Sequence, residues 1–300
     1  MKNKSIQKWS GSSGNTKKGY SIFLWLIDKG GRYAAYFLLK FVALYYWFFK
    51  KDANIALRDT YINKMGFSKS KASLLRLKNY IFFGQALIDK VTVALKAETH
   101  GLKIHRDGEH FFKEIINEGK GGILIGAHLG SWDLAGQLLA QLNIKVHIVM
   151  FDGEEPEIKK IIENKTGSVL YNAIYIRDNM NHIYEIHKAL SNNEIVCLHG
   201  DRFVENDKNI KNLDFLEKNA YFPLGPFLLA AVMKAPVSFV YAIKKNRDFY
   251  HFTASKPKIY EEGASKLVAT KILEDYKNLL EEQLKKNPEQ WYNYYKFWNN

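Results

Sequence analysis

His128 and Asp133 stand five positions apart in the stretch Ile125-Gly-Ala-His-Leu-Gly-Ser-Trp-Asp133, directly after the apolar run Gly121–Ala127. On one continuous helix, residues five apart point about 140° away from each other. The two side chains therefore meet only if the chain turns at Gly130 and a helix starts at Ser131, a residue type suited to capping. The Asp133 carboxylate would then accept the proton on one ring nitrogen of His128, fix the tautomer and leave the other nitrogen basic. Such a base can take a proton from an alcohol or amine attacking a thioester, with no enzyme nucleophile needed, a role worth about 10²–10⁴-fold in rate.

Other groups fall near the same place. Functional side chains in an open parallel sheet gather where strands end and helices begin. Arg177 and Arg202 both follow predicted strands, where a guanidinium can grip a phosphate or carboxylate bidentately or make a structural ion pair, Arg202 with Asp201 or Asp207. Asp201 is placed to orient an arginine. Gly225 opens a predicted helix, where it either lets a ligand reach backbone N–H groups or makes a tight turn. Arg177, Asp201, Arg202 and Gly225 are the candidate substrate-binding residues, and His199 is the second titrating group near the site. Cys197, the single cysteine, lies inside the run Ile195–Leu198 and reads as a buried, inert thiol. His100, His105 and His110 recur every five residues, a spacing that matches no zinc pattern, so no metal is expected.

The elements that must position these groups follow from the texture of the chain. Gly121–Ala127 reads as a strand buried on both faces. After it come a helix (134–142), a strand (145–150), a helix (155–163), a strand (173–176), a helix (181–190) and a strand (194–198). A polar loop covers 205–219, a helix 223–234 and a strand 237–243, with 249–255 antiparallel beside it. An amphipathic helix over 266–286 and an aromatic tail, 288–298, complete the chain. This alternation predicts an α/β fold with a mostly parallel central sheet flanked by helices. Residues 52–98 read as packing helices.

The N-terminal sixth is different. Residues 1–51 carry ten Lys and Arg against one acid, Asp28, a balance of +9 within a total of +13. Residues 33–49 hold nine aromatic side chains and one charge, Lys40. A basic block fused to apolar sequence suits an anionic membrane surface rather than nucleic acid. Aromatic side chains favour the headgroup level, so a helix lying in the interface is expected rather than a clean span. The competing reading is a buried core helix. A cleaved signal peptide is not expected, because Asp28, Lys29 and Arg32 interrupt the run. The chain thus divides into a membrane-associating region, 1–51, and a catalytic α/β domain, 52–300. Removing residues 1–50 should release much of the protein from membranes.

The block Ile125–Gly136 resembles the active-site segment of the bacterial lipid A late acyltransferases, within the wider lysophospholipid and glycerolipid acyltransferase group. Arg177, Asp201, Phe222-Pro-Leu-Gly225, Lys234-Ala-Pro-Val237 and Pro288-Glu-Gln-Trp291 resemble further family segments, in the right order. Lipid A enzymes more often carry Asn-Trp-Glu where this chain has Ser131-Trp132-Asp133; Asp at the last place is common in the glycerolipid branch. The resemblance implies an acyltransferase at the cytoplasmic face of the bacterial inner membrane. Its donor would be acyl-carrier-protein or acyl-CoA and its acceptor a lipid A precursor, with no cofactor or metal. The shorter carboxylate leaves room for another acceptor: an aminolipid, a lysophospholipid or the head of a polyene pigment. A non-catalytic membrane-binding protein of the same fold and a thioesterase using His128 with water are the rivals of other classes.

Overall fold

The computed structural model describes residues 17–96, 101–131, 134, 144–151, 172–177, 180–202, 209–260 and 263–298. Its helices and strands are, in chain order, α1 (Lys17–Phe49), α2 (Lys51–Arg58), α3 (Lys69–Lys96), β1 (Lys103–Asp107), α4 (His110–Asn117), β2 (Gly122–Gly126), β3 (Val146–Phe151) and β4 (Asn172–Ile176). Then follow α5 (Asn181–Ser191), β5 (Ile195–His199), β6 (Ile210–Phe215), β7 (Lys218–Pro223), α6 (Gly225–Met233), β8 (Val237–Lys244), β9 (Phe249–Ala254) and α7 (Ser265–Lys286). The expected helix over 155–163 lies outside the described residues, as does that over 134–142 apart from Leu134, which is helical and buried.

Seven strands form the central sheet in the order β1-β9-β8-β2-β5-β3-β4. From β8 to β4 every pairing is parallel. β9 runs antiparallel to β8, as its sequence predicts, and β1 pairs parallel with β9 at the edge. Alternate side chains of the strands enter two cores. On one face Ile123, Ile125, Val196, Leu198 and Phe239 meet Phe227 of α6 and Ile272 and Tyr276 of α7. On the other, Leu124, Ile148, Ile195 and Phe252 meet Phe112 and Ile115 of α4. Full burial of such a side chain contributes about 1.5–3 kcal/mol, which is why the central strands read as unbroken apolar runs.

The hairpin departs from the sequence reading, and the tail resolves a choice that it left open. The segment read as a polar loop carries a hairpin, β6 paired antiparallel with β7. The aromatic tail, for which sheet or lipid were both open, packs on that hairpin. Trp298 stacks on Phe215 with ring centroids 5.7 Å apart and donates its indole N–H to the Phe215 carbonyl at 3.1 Å.

The N-terminal region is both a core helix and an exposed one. α1 kinks at Gly31, whose φ of 70° suits glycine alone. One side of α1, with Ile27, Ala35, Tyr36 and Leu39, packs on Ile88 and Val91 of α3. The opposite side exposes Tyr33, Phe37, Phe41, Leu44, Tyr45 and Phe48, a helical stripe of mostly aromatic side chains. Arg32, counted above among the membrane-facing cations, is buried instead and pairs with Asp248 at 2.8 Å. Deleting residues 1–50 would therefore strip a core as well as a surface.

A buried polar cluster fastens α1 and α3 to the sheet. Lys244 of β8 donates to the Asp89 carboxylate of α3 at 2.5 Å and to the Tyr36 hydroxyl at 2.9 Å. Tyr250 donates to the same carboxylate at 2.5 Å, and Tyr36 donates to its other oxygen. Removing one partner of a buried ion pair leaves an uncompensated charge, which costs about 3–5 kcal/mol. Asp89→Asn should lower stability by that amount in chemical denaturation, and a loss below about 1 kcal/mol would show that the cluster does not hold these helices.

Candidate active site

The site begins with a register. β2 and β5 pair in parallel with Gly126 opposite His199. Two residues beyond each strand, His128 and Asp201 therefore arrive side by side. His128 Nδ1 lies 2.8 Å from Asp201 Oδ1. Asp201 Oδ2 accepts the backbone N–H of His128 and the indole N–H of Trp291, both at 2.9 Å. The carboxylate is buried and receives three donors. Burial disfavours its charge, yet the neighbouring His128, its hydrogen bond and the Arg202 guanidinium outweigh this and hold the carboxyl well below the usual range.

The loop after His128 is bound to the C-terminal segment as if to another strand. The Tyr292 N–H donates to the His128 carbonyl at 2.8 Å, and the Gly130 N–H donates to the Gln290 carbonyl at 2.9 Å. The Ser131 N–H reaches the Ala242 carbonyl at 2.7 Å. Gly130 has φ +74°, and a Cβ there would stand 2.2 Å from the Ala242 carbonyl oxygen. The expected turn at Gly130 is present and only glycine fits it. Gln290 locks the same level of β8 by a two-way amide pairing with the Lys244 backbone, at 2.9 and 2.8 Å.

His199 presses its ring against His128, with centroids 4.4 Å apart. Burial and then the Arg202 charge lower the pKa of His128, against the opposing pull of Asp201. Burial and then His128 lower that of His199 still further. Both shifts favour the neutral ring. With Nδ1–H directed at the carboxylate, the lone pair of His128 sits on Nε2, the nitrogen that can accept a proton.

The carboxylate at Nδ1 is thus Asp201. The sequence reading paired one ring nitrogen of His128, without saying which, with Asp133, whose side chain lies outside the described residues, and gave Asp201 to an arginine. Arg202 instead donates to the Tyr292 carbonyl at 2.6 Å. Arg177 is exposed at the end of β4, on the same rim, with its guanidinium carbon 5.8 Å from the centre of the Tyr175 ring. β5 and β3 separate β4 from β2, so about 14 Å of sheet lies between them. Gly225 begins α6, and a Cβ there would enter open space. The rim brings together His128, His199, Asp201 and Arg202, and leaves Arg177 at a distance. Trp291 and Tyr292 were missed as site residues. Their signals were the resemblance of Pro288-Glu-Gln-Trp291 to a family segment and an aromatic tail containing polar groups that burial must satisfy.

His128→Ala should lower turnover by about 10²-fold or more in a protein that stays folded. Asp201→Asn should cost about 10²–10⁴-fold, because an amide N–H facing Nδ1 favours the wrong tautomer. The depressed pKa of His128 places the acid limb of kcat/KM below the ordinary 6.5. The unfolded chain binds a proton first, so the associated stability is complete above pH 6.5 and declines as pH falls toward the folded value. Removing the Asp201 charge should move the limb to still lower pH, and an unmoved limb would contradict the pairing.

The family described as bacterial lipid A biosynthesis acyltransferase matches residues 16–299. Among solved structures, the 1-acyl-sn-glycerophosphate (LPA) acyltransferase PlsC from Thermotoga maritima is similar at 13% identity and a TM-score of 0.38, over 83% of this chain and 97% of its own. Comparison with curated protein sequences gives no match. The family match leaves only the first fifteen residues and the last outside it, and on that ground the chain belongs to the bacterial lipid A biosynthesis acyltransferases.

Proposed function

We propose that the protein transfers a fatty acyl chain from acyl-carrier-protein to a hydroxyl of a lipid A precursor, with His128 as the general base. Family membership supports acyl transfer to a lipid, and the observation that carries the base is the His128–Asp201 pair. The acceptor hydroxyl gives its proton to His128 Nε2 as its oxygen bonds to the thioester carbonyl carbon. The imidazolium so formed is stabilised by Asp201. The C–S bond then breaks, and the proton passes to the leaving sulfur. Arg177 and Arg202 hold the anionic part of donor or acceptor on the rim, with Gly225 leaving room at the start of α6. Asp133, where the family more often has Glu, favours a second reading with another acceptor, such as an aminolipid or a lysophospholipid. Purified protein given acyl-carrier-protein or acyl-CoA donors and each acceptor in turn, with lipid mass spectrometry of the products, separates these readings. Transfer to a lipid A precursor from the carrier protein is expected; transfer only to a lysophospholipid would overturn it.

The same reading places the protein on the cytoplasmic face of the bacterial inner membrane. No helix among the described residues is long and apolar enough to cross a membrane. Phe37, Phe41 and Phe48 of α1 are 63%, 56% and 65% exposed and share the face opposite the α3 contact. That arrangement suits a helix lying in the interface, apolar face down. The triple variant Phe37→Ser, Phe41→Ser, Phe48→Ser leaves the α1–α3 core untouched, unlike a deletion. It should shift the protein from anionic vesicles to the supernatant in sedimentation, and undiminished binding would rule out this face.

A further inference from the structure

Two histidines far apart in sequence meet at the edge of the sheet remote from β4. β1 and β9 pair with His105 directly opposite His251. Asp107 lies two residues along β1 from His105, so its side chain leaves the same face of the sheet. The two imidazole rings are 5.3 Å apart at their centres. His105 Nε2 lies 2.8 Å from Asp107 Oδ1, and His251 Nε2 lies 2.6 Å from Asp107 Oδ2. One donor atom from each of the three residues falls within 4.8 Å of the others.

We propose that His105, Asp107 and His251 form a binding site for a divalent transition metal of the zinc class. Two imidazole nitrogens and one carboxylate suit zinc, cobalt, nickel or copper rather than magnesium or calcium. Zinc binds such nitrogens at about 2.0–2.1 Å and carboxylate oxygens at about 2.0–2.2 Å, so the nitrogen–oxygen separations of 2.8 and 2.6 Å must widen to admit the ion. The metal takes the place of the imidazole protons that now face the carboxylate. His105 and Asp107 are 61% and 55% exposed at their side chains, so water completes the coordination. The site stands apart from His128, with β8 and β9 between β2 and β1. Its effect is mechanical. β1 is an edge strand whose sheet partner is β9, and it is the first strand after α3; a metal shared between β1 and β9 clips that strand to the sheet.

The test uses the full-length protein in detergent, stripped with a chelator and dialysed. Cobalt titration followed by visible d–d absorption, and zinc titration by calorimetry, should each give one equivalent per chain. Zinc should also raise the melting temperature. His105→Gln and His251→Gln should each weaken binding by about 100-fold or more, since loss of a supporting outer partner alone costs 10–100-fold, and both should abolish the zinc-dependent rise in melting temperature. His105 is exposed, so its variant remains informative if His251→Gln fails to fold. Absence of saturable binding by the stripped wild type, or unchanged affinity in these variants, would overturn the assignment and leave a carboxylate bridging two imidazoles.

Discussion

The Asp201 carboxylate, buried at the end of β5, accepts three N–H groups that come from two distant parts of the chain. An ionised carboxylate without partners is costly in such a place, whereas hydrogen bonds to a charged group each return about 1.5–3 kcal/mol. The pocket therefore closes around the charge only when the His128 loop and the Trp291 indole are both in position. The interaction that sets the tautomer of His128 also joins its loop to the C-terminal segment.

That segment is held in turn by the N-terminal helices. Asn79 of α3 donates to the carbonyls of Glu289 and Trp291 at 3.1 and 2.9 Å, and Tyr61 donates to the Pro288 carbonyl at 3.2 Å. α3 packs on α1, and Lys244 and Asp89 tie both helices to β8. A continuous set of hydrogen bonds thus runs from the helix with the exposed aromatic face to the histidine. The exposed aromatic face and the His128–Asp201 pair share one framework.

The central strands were legible because β2, β5 and β8 are largely buried on both faces and are mostly apolar. β9 was legible from the short polar turn before it. β1 and β6 were not: Lys103-Ile-His-Arg-Asp alternates exposed with half-buried residues, and Ile210-Lys-Asn-Leu-Asp-Phe is half polar, so neither has the texture of a core strand. His128 could be located from its place after an apolar run. Its pairing with Asp201 could not, because that depends on the register of β2 against β5, which no local pattern encodes. Asp133 is near in sequence; Asp201 is brought near by pairing. The same blindness to register hid His251 from His105.

Because Trp291 and Tyr292 close the wall behind His128, the order of synthesis separates the base from its setting. A ribosome makes β2 and His128 long before it supplies the indole and amide that complete the pocket. A chain broken off before Trp291 carries every residue of the rim yet leaves the Asp201 carboxylate one donor short and the His128 carbonyl without its strand partner. The setting of His128 is therefore completed only once Trp291 and Tyr292 have been made.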